Sequence, residues 1–469
     1  MIAGLVTYPR YRESKAAWLA QIPEHWDELR TRYLVREVDN RSQRGEETHL
    51  SMSQKLGLVP ASMLDQQTLV SASYAGGKLV QIDDLVLNRL KAHLGVFALA
   101  RQPGVISPDY TVFRRARPCS VKYLEHVLRS PACRSELRTR AKGIVEGFWR
   151  LYTDDFYNIR LPVPPPDEQA AIVRFLDHVD RRIRRYIRAR QELIKLLEEQ
   201  KQAIIHQIVT RGLDPNVRMK SSGVEWLGEV PEHWEIRKIK FLTDTMGGMT
   251  PRKAEQRYWG GTVPWVSPKD MKVNRLGDSV DHITDAALNE TSIRRVPAGS
   301  VLIVVRGMIL ARTFPVAVTT KPVTVNQDMK ALLPCGINGD FLAHLLVGIQ
   351  RHVLTLVEEA GHGTRCLRTD EWQNMRLPVP PQREQAAIVA HLNQVLNTGE
   401  EALLLAREQL GLMGEMRARI VADVVTGKLD VRAEAAALPD EPDDSGDLAV
   451  DDDVTEDGDV ESTAEEAAE

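Results

Sequence analysis

Two thirteen-residue stretches of this chain are almost the same. Leu161–Val173 reads LPVPPPDEQAAIV, and Leu377–Val389, 216 residues further on, reads LPVPPQREQAAIV. They differ only at Pro166/Gln382 and Asp167/Arg383. A second pair precedes them: Trp18–Trp26 reads WLAQIPEHW and Trp226–Trp234 reads WLGEVPEHW, 208 residues apart. Internal repetition constrains a fold more than local propensity does, because each copy must build the same supersecondary unit. These stretches impose one unit written twice, in the order aromatic clasp, variable region, long helix. Two Trp and a Pro so close together read as buried aromatics that pin the start of a domain.

The net charge of −4 hides a division. Residues 433–469 hold 16 acids and no Lys or Arg, so residues 1–432 carry +12. The tail, with PDEPDDSGD and DDDVTEDGD, has the composition of a disordered acidic segment. The basic body favours a polyanionic partner. No apolar run reaches bilayer length, and MIAGLVTYPRYRESK lacks the apolar core of a secretory leader, so no membrane association and a cytoplasmic location are expected. Cys119, Cys133, Cys335 and Cys366 form no C-x-x-C pair, which argues against a zinc ribbon, a redox dithiol or a disulfide framework.

The regions between clasp and helix read as mixed α/β. In residues 27–155, short apolar runs bounded by turn signals predict strands at Lys78–Ile82, Leu85–Leu90, Val96–Ala100 and Tyr110–Arg114, and helical spacing predicts a helix over Val121–Arg138. In residues 235–371, strands are predicted at Ser300–Val305, Pro315–Thr319 and Pro322–Asn326, with a helix over Gly339–Leu356. Registered through their ends, the two regions set Arg89 opposite Arg306, Asp109 opposite Asp328 and Gly147 opposite Gly363.

Each repeated motif opens a long helix. Pro166 suits the first helical position, and Asp167 and Glu168 favour the positive end of the dipole. From there Ile172, Leu176, Val179, Ile183, Tyr186, Leu193, Leu197 and Ile204 recur by threes and fours, giving a helix of roughly 65 Å over 166–210. The second runs from about Arg383 to Thr426, through Ile388, Leu392, Val395, Ala402, Ala406, Met413, Met416 and Ile420. Gly399, Gly411 and Gly414 predict a break or a close helix–helix approach there. A helix this long needs a partner, and its own repeat is the obvious one. A pseudo-two-fold axis makes the pair antiparallel, whereas a translation would make a two-repeat solenoid, too short to be stable.

No catalytic constellation stands out. Gly76-Gly77-Lys78 lacks the spacing and the Ser or Thr of a phosphate loop, and there is no G-x-G-x-x-G after a strand, no H-E-x-x-H and no G-x-S-x-G. Glu199-Gln200-Lys201 has a nuclease-like E-x-K spacing but falls within the first long helix, where such pairs are usually a solvated face. No side chain is singled out as a metal ligand, and His25 and His233 belong to the clasp. What remains is a recognition inventory. Arg and Lys pair with guanine, Gln and Asn with adenine, and hydroxyls with phosphate. The first region offers Arg89, Lys91, His93, Ser107, Tyr110, Trp149 and Arg150; the second offers Ser267, Lys269, Lys272, Arg306, Gln327 and Arg365.

With these residues in view, the chain up to about Arg432 resembles the specificity subunit of a type I restriction–modification enzyme. The resemblance rests on the paired LPVPP-x-x-EQAAIV and WL-x-x-[IV]-PEHW motifs, on WVSPKDMK (Trp265–Lys272), on VNQDMKALLP (Val325–Pro334) and on GTRCL before the second LPVP. It implies two α/β target recognition domains, residues 1–160 and 214–376, joined by conserved spacer helices, 161–213 and 377–430, packed as an antiparallel coiled coil, with an acidic tail over 431–469. It implies a non-catalytic subunit in which each recognition domain reads one half of a bipartite double-stranded DNA site. Two methyltransferase subunits dock on the helices and carry S-adenosylmethionine; a restriction subunit, where one exists, carries ATP and Mg. By position, Ser267, Lys269, Gln327 and Arg365 match segments that approach DNA, and Glu168, Gln169, Glu384 and Gln385 are assigned to partner binding. The first region departs from the pattern, with HLSMSQKLG (His49–Gly57) where the second has WVSPKD. The alternative is a coiled-coil interaction scaffold without sequence-specific DNA binding, which leaves the paired variable regions unexplained.

Overall fold

The computed structural model describes residues 5–53, 56–64, 74–143, 149–360 and 363–439. Gly147 and the acidic tail from Asp440 onward lie outside the described residues. By its internal contacts the chain divides into two compact units, Met1–Ile187 with Leu410–Glu469, and Arg188–Gln409. Both divisions fall inside the long helices, Pro166–Arg211 and Gln382–Val425. Each unit therefore combines one variable region, the first half of the helix that follows it and the last half of the other helix.

In the first unit the main sheet runs Val35–Val38, Tyr110–Arg115, Leu85–Asn88, Phe97–Leu99, every neighbour antiparallel. In the second the order is Thr243–Gly247, Met329–Pro334, Val301–Val304, Val316–Thr319, Arg275–Leu276, and only the last pairing is parallel. Val301–Val304 is buried along its whole length, which is why SVLIVV reads as a continuous apolar run rather than an alternating one. Beside each main sheet sits a smaller element with its own core. In the second unit Trp259–Val266 pairs with Asp281–Ile283 and Thr324–Val325 over Tyr258, Val263 and Trp265. In the first, a hairpin of Leu50–Ser53 and Gly57–Pro60 packs on Val80 and Ile106.

Both helices predicted in the variable regions are interrupted. Val121–Arg138 becomes Val121–Arg129 and Pro131–Arg140, because Ser130 caps the second piece by accepting from Cys133 N and Pro131 takes its first turn. Gly339–Leu356 becomes Gly339–Gly348 and Gln350–Thr355. A Cβ at Gly348 would lie 2.8 Å from Val209 Cγ2, and the Gly348 carbonyl is 3.1 Å from His206 Nδ1, so this turn is shaped by the first long helix lying against it. The second long helix is unbroken, and open space surrounds Gly399, Gly411 and Gly414. Neither the break nor the close approach expected at those glycines occurs.

The two repeated motifs lock onto each other. Glu168 is 2% exposed; it accepts from the Tyr8 hydroxyl, from Trp26 Nε1 at 3.0 Å, and meets His25 Nε2 at 2.8 Å. In the second unit Glu384 meets His233 Nε2 at 2.7 Å and Trp234 Nε1 at 3.1 Å. The next residue ties the helix to the sheet layer. Gln169 Oε1 accepts from Ser120 N at 2.7 Å while its amide donates to Pro164 O at 2.8 Å, and Gln385 repeats this with Asn338 N and Pro380 O at the same distances. Ser120 and Asn338 are the N-caps of helices in the two variable regions. The far end of the other long helix closes each clasp. Gly427, at φ +75°, sits where a Cβ would be 2.3 Å from Pro23 Cδ and 3.0 Å from Trp26, and Gly212 (φ +80°) occupies the same place against Trp234. The positive φ and the close approach both demand glycine.

Within each unit the two helical segments run in opposite directions. In the first, Tyr123 OH donates to both Pro162 O and Val425 O, while Asp180 pairs with Arg417. In the second, Glu198 pairs with Arg407 and Lys201 with Glu400 at 2.9 Å. Lys201, the cation of the E-x-K spacing, is thus spent on a helix–helix ion pair.

Two predictions follow from this packing. Glu168→Ala strands the Trp26 N–H and the Tyr8 hydroxyl in the interior and frees the half-exposed His25, and should cost about 3 kcal/mol, whereas Glu384→Ala, at a carboxylate 27% exposed and with two partners instead of three, should cost about 1 kcal/mol, read from denaturant unfolding. His126 and His344 occupy equivalent places on the variable-region helices, and burial holds both below the ordinary imidazole range. The unfolded chain then binds protons first. Stability is complete above the unfolded value of about 6.5 and is lost as pH falls from there through the lower folded value. The paired His126→Gln and His344→Gln variant should flatten thermal unfolding across that window.

Candidate nucleic-acid interface

In the second unit, backbone hydrogen bonds draw five separate segments to one end of the main sheet. Met329 starts a strand and Val304 ends its neighbour, and the two are paired. Just beyond, Val305 N and Arg306 N both donate to Asp328 O, at 2.8 and 3.2 Å. Asn326 N donates to Val266 O at 2.9 Å, and Met249 N to Val325 O at 3.1 Å. Gly307 N donates to Arg365 O at 3.0 Å, and Leu367 N to Val305 O at 2.9 Å. The Asn326 side chain braces the turn by accepting from Asp328 N at 3.1 Å. Arg306, Gln327 and Arg365 are thereby brought together, the first two exposed and Arg365 partly so.

Their side chains are set in different ways. Gln327 Oε1 accepts from Thr250 Oγ1, which fixes the amide face and identifies Thr250 as a residue that sequence reasoning did not single out. Arg365 lies 3.2 Å from Glu359 across the Val357–Glu359/Arg365–Leu367 hairpin. Lys269 is exposed and pairs with Asp281 at 2.7 Å. Ser267 is 7% exposed and forms a reciprocal capping box with Asp270, so its hydroxyl shapes the WVSPKD turn instead of facing outward. Lys272 lies past that turn, in a cleft lined by Lys201, Arg275 and Thr313.

The first unit repeats the frame with other side chains. Tyr110 pairs with Asn88 at the same end of the sheet, and Asn88 caps the turn Arg89–Leu94. Leu151 N donates to Arg89 O at 3.2 Å, the counterpart of Leu367 to Val305. The carbonyl partners therefore set Arg89 opposite Val305, one residue from the expected register with Arg306. Asp109 and Asp328 do hold equivalent places, each preceding its strand. Arg89 is turned inward, with Nε 2.6 Å from Thr111 Oγ1 and Nη2 3.8 Å from Glu37. Glu37 and Asp39 also flank Lys78, whose side chain is 2% exposed and whose ammonium burial pushes below the ordinary lysine range. Lys91 and Arg150 are exposed, and the Arg150 backbone pairs with Lys142. Trp149 lies under the Arg138 guanidinium at 5.4 Å. Tyr110 is half-buried against the small hairpin core, and burial raises its hydroxyl. Ser107 is half-buried at the adjacent turn, and the His93 side chain lies outside the described residues.

Glu168, Gln169, Glu384 and Gln385, expected to face a partner, are occupied within the chain, and Glu168, Gln169 and Gln385 are each at most 2% exposed. A buried carboxylate with three neighbours on it is not available to another protein. Exposed apolar side chains of the long helices lie elsewhere, at Leu193, Leu196, Leu404, Leu405 and Leu412. Among the described residues, no group of three or more His, Cys, Asp and Glu is arranged to hold a metal, and no helix is long and apolar enough to cross a membrane.

Comparison with known proteins points the same way as this geometry. The family model for the type I restriction modification DNA specificity domain matches residues 231–405. The chain is 26% identical over 325 residues to the type I restriction enzyme EcoR124I/EcoR124II specificity subunit of Escherichia coli, covering 64% of this chain and 74% of that one. It is 28% identical over 173 residues to the MjaIX specificity subunit of Methanocaldococcus jannaschii, covering 36% and 39%. A solved chain from work on complex assembly and conformational transition of the type I R-M system superposes with a TM-score of 0.64, at 17% identity, over 87% of this chain and 99% of that one. At that identity the likeness is one of fold.

Proposed function

We propose that the chain is a specificity subunit of a type I restriction–modification enzyme, and that it reads a bipartite double-stranded DNA target, one half-site per recognition domain, without catalysing a reaction itself. The observation that carries this is the gathering of Arg306, Gln327 and Arg365 at one sheet end, on a frame the first unit repeats with Arg89, Lys91 and Arg150. Arg306 and Arg365 suit guanine or phosphate, and Gln327, oriented by Thr250, suits adenine. In the first domain Lys91, Ser107 and Arg150 are the outward candidates, with Arg89 held by Thr111 and Glu37 as a positioned second row. Lys269 contributes charge near the second half-site.

The two long helices pair antiparallel as a spacer, so that the gap between half-sites becomes part of the specificity. Two modest readers on one frame gain effective concentration over either alone. Methyltransferase subunits dock on the helices and bring S-adenosylmethionine; ATP and Mg belong to a restriction subunit. The exposed Leu193, Leu196, Leu404 and Leu405 suit that docking, because apolar clusters left on a helix surface mark association sites.

The reading is tested by mapping methylated adenines produced by the complex. Exchanging residues 27–155 for another such domain should change one half of the target and leave the other intact; a change in both halves overturns independent reading. Arg306→Ala or Gln327→Ala should cost about 1–3 kcal/mol of discrimination in the second half only, measured by competition between duplexes differing at single positions. Leu404→Asp with Leu196→Asp should abolish co-purification with the methyltransferase subunits while the unfolding midpoint of the chain stays within about 0.5 kcal/mol of the parent.

A further inference from the structure

The internal repeat reaches past its two literal motifs. Arg30, Arg32 and Tyr33 correspond to Lys238, Lys240 and Phe241 at the clasp offset of 208 residues, and Asn158 and Arg160 to Asn374 and Arg376 at the helix offset of 216. The fold assembles both sets in the same way. Thr31 N donates to Ile159 O at 2.9 Å, and Ile239 N to Met375 O at 3.0 Å. Arg32 Nη2 donates to Asn158 Oδ1 at 2.8 Å, and Lys240 Nζ to Asn374 Oδ1 at 2.9 Å. Each Asn amide in turn donates to a carbonyl, that of Asp154 or Asp370. A tight helical turn follows, Thr31–Tyr33 or Ile239–Phe241, and it leaves Tyr33 57% and Phe241 62% exposed.

Folding has no use for these side chains. Arg30 stands directly opposite Arg160 in one antiparallel pair, and Lys238 directly opposite Arg376 in the other. Like charges so placed oppose the pairing. Among the described residues, no carboxylate lies within ion-pair distance of Arg30, Arg160, Lys238 or Arg376. Each unit thus keeps an exposed aromatic and three cations at a cost to the strands that carry them. The patch also lies away from the sheet end that gathers Arg306, Gln327 and Arg365. Thr243, two residues past Phe241, pairs with Pro334, the last residue of the strand that Met329 begins. Val35, two residues past Tyr33, pairs with Arg115, the last residue of the strand that Tyr110 begins. Each of those strands has 6 residues, so about 17 Å of sheet separates the patch from the reading end.

We propose that this patch docks a partner protein taken up in two identical copies, one on each unit, through an apolar pocket with carboxylates at its rim. On the type I reading, on which this identification rests, the partner is the methyltransferase subunit, and the patch is a contact additional to the exposed leucines of the helices. The two reading ends carry unlike side chains, whereas the patch keeps its chemistry in both units. Unlike ends suit unlike half-sites; a surface kept the same suits one partner bound twice. A buried aromatic supplies the anchor of such a contact, and the surrounding cations set its partner and orientation. A duplex seated at the reading end leaves this end of the sheet to something else.

The test uses the full chain and purified methyltransferase subunit, with uptake read as complex mass by sedimentation. The parent should take up two subunits. Tyr33→Ala with Arg32→Glu should weaken one of the two about tenfold or more, Phe241→Ala with Lys240→Glu the other, and the fourfold variant both. Tyr33→Phe with Arg32→Lys gives the first patch the side chains of the second and should keep both subunits. All variants should unfold within about 2 °C of the parent, because the altered side chains are exposed. Full uptake by the fourfold variant overturns the patch and leaves the type I reading standing. No uptake by the parent overturns that reading and the partner named here with it. Reduced duplex affinity in the fourfold variant with uptake intact gives the cations to DNA and overturns the docking. A fall in the unfolding midpoint that accompanies lost uptake makes the patch structural and overturns it equally.

Discussion

A carboxylate buried at the start of a helix is expensive unless its whole surroundings are built for it, and that constraint organises each half of this protein. Glu168 lies in the first helical turn, where the dipole favours negative charge, and takes Trp26, His25 and Tyr8 onto its oxygens. Those three arrive from the beginning of the chain, more than 140 residues away, so a single residue fixes the start of the variable region to the helix that follows it. Gln169 extends the lock to the capping end of another helix through Ser120. Glu384 and Gln385 repeat the scheme without a Tyr8 counterpart, and the carboxylate there stays partly exposed.

Because the lock is made of residues common to both repeats, the sheet ends it supports are free to differ. The backbone donors and acceptors at those ends correspond, as Leu151 to Arg89 and Leu367 to Val305 show. The side chains do not. One unit turns an Arg inward to Thr111 and Glu37; the other exposes Arg306 beside a Gln oriented by Thr250. A shared frame with different faces is what two readers of unlike half-sites require, since position must be constant while hydrogen-bonding pattern varies.

Charge is divided along the same lines. On the first long helix Asp177 is engaged by Lys122 and Asp180 by Arg417. The tail collects the compensating acid at the other end of the chain. A protein of nearly neutral total charge is therefore divided into a basic body and an acidic C-terminal stretch.

The repeat, the two long helices, their glycine stops, the α/β character of the variable regions and the structural nature of the PEHW clasp were all determined by the sequence itself, because each depends on periodicity or on local residue chemistry. Which residues would be used up inside the fold was not. Glu168 and Gln169 look like exposed polar residues of a helix start until their partners arrive from distant segments; Ser267 looks like a phosphate donor until Asp270 caps it; Arg89 looks outward until Thr111 and Glu37 draw it in. The helix breaks at Ser130 and Gly348 likewise answer to a cap and to a neighbouring helix, not to apolar spacing. Hydrogen bonds between residues far apart in the chain leave no periodic trace, so only the tertiary structure decided which polar side chains serve the interior and which stay at the surface.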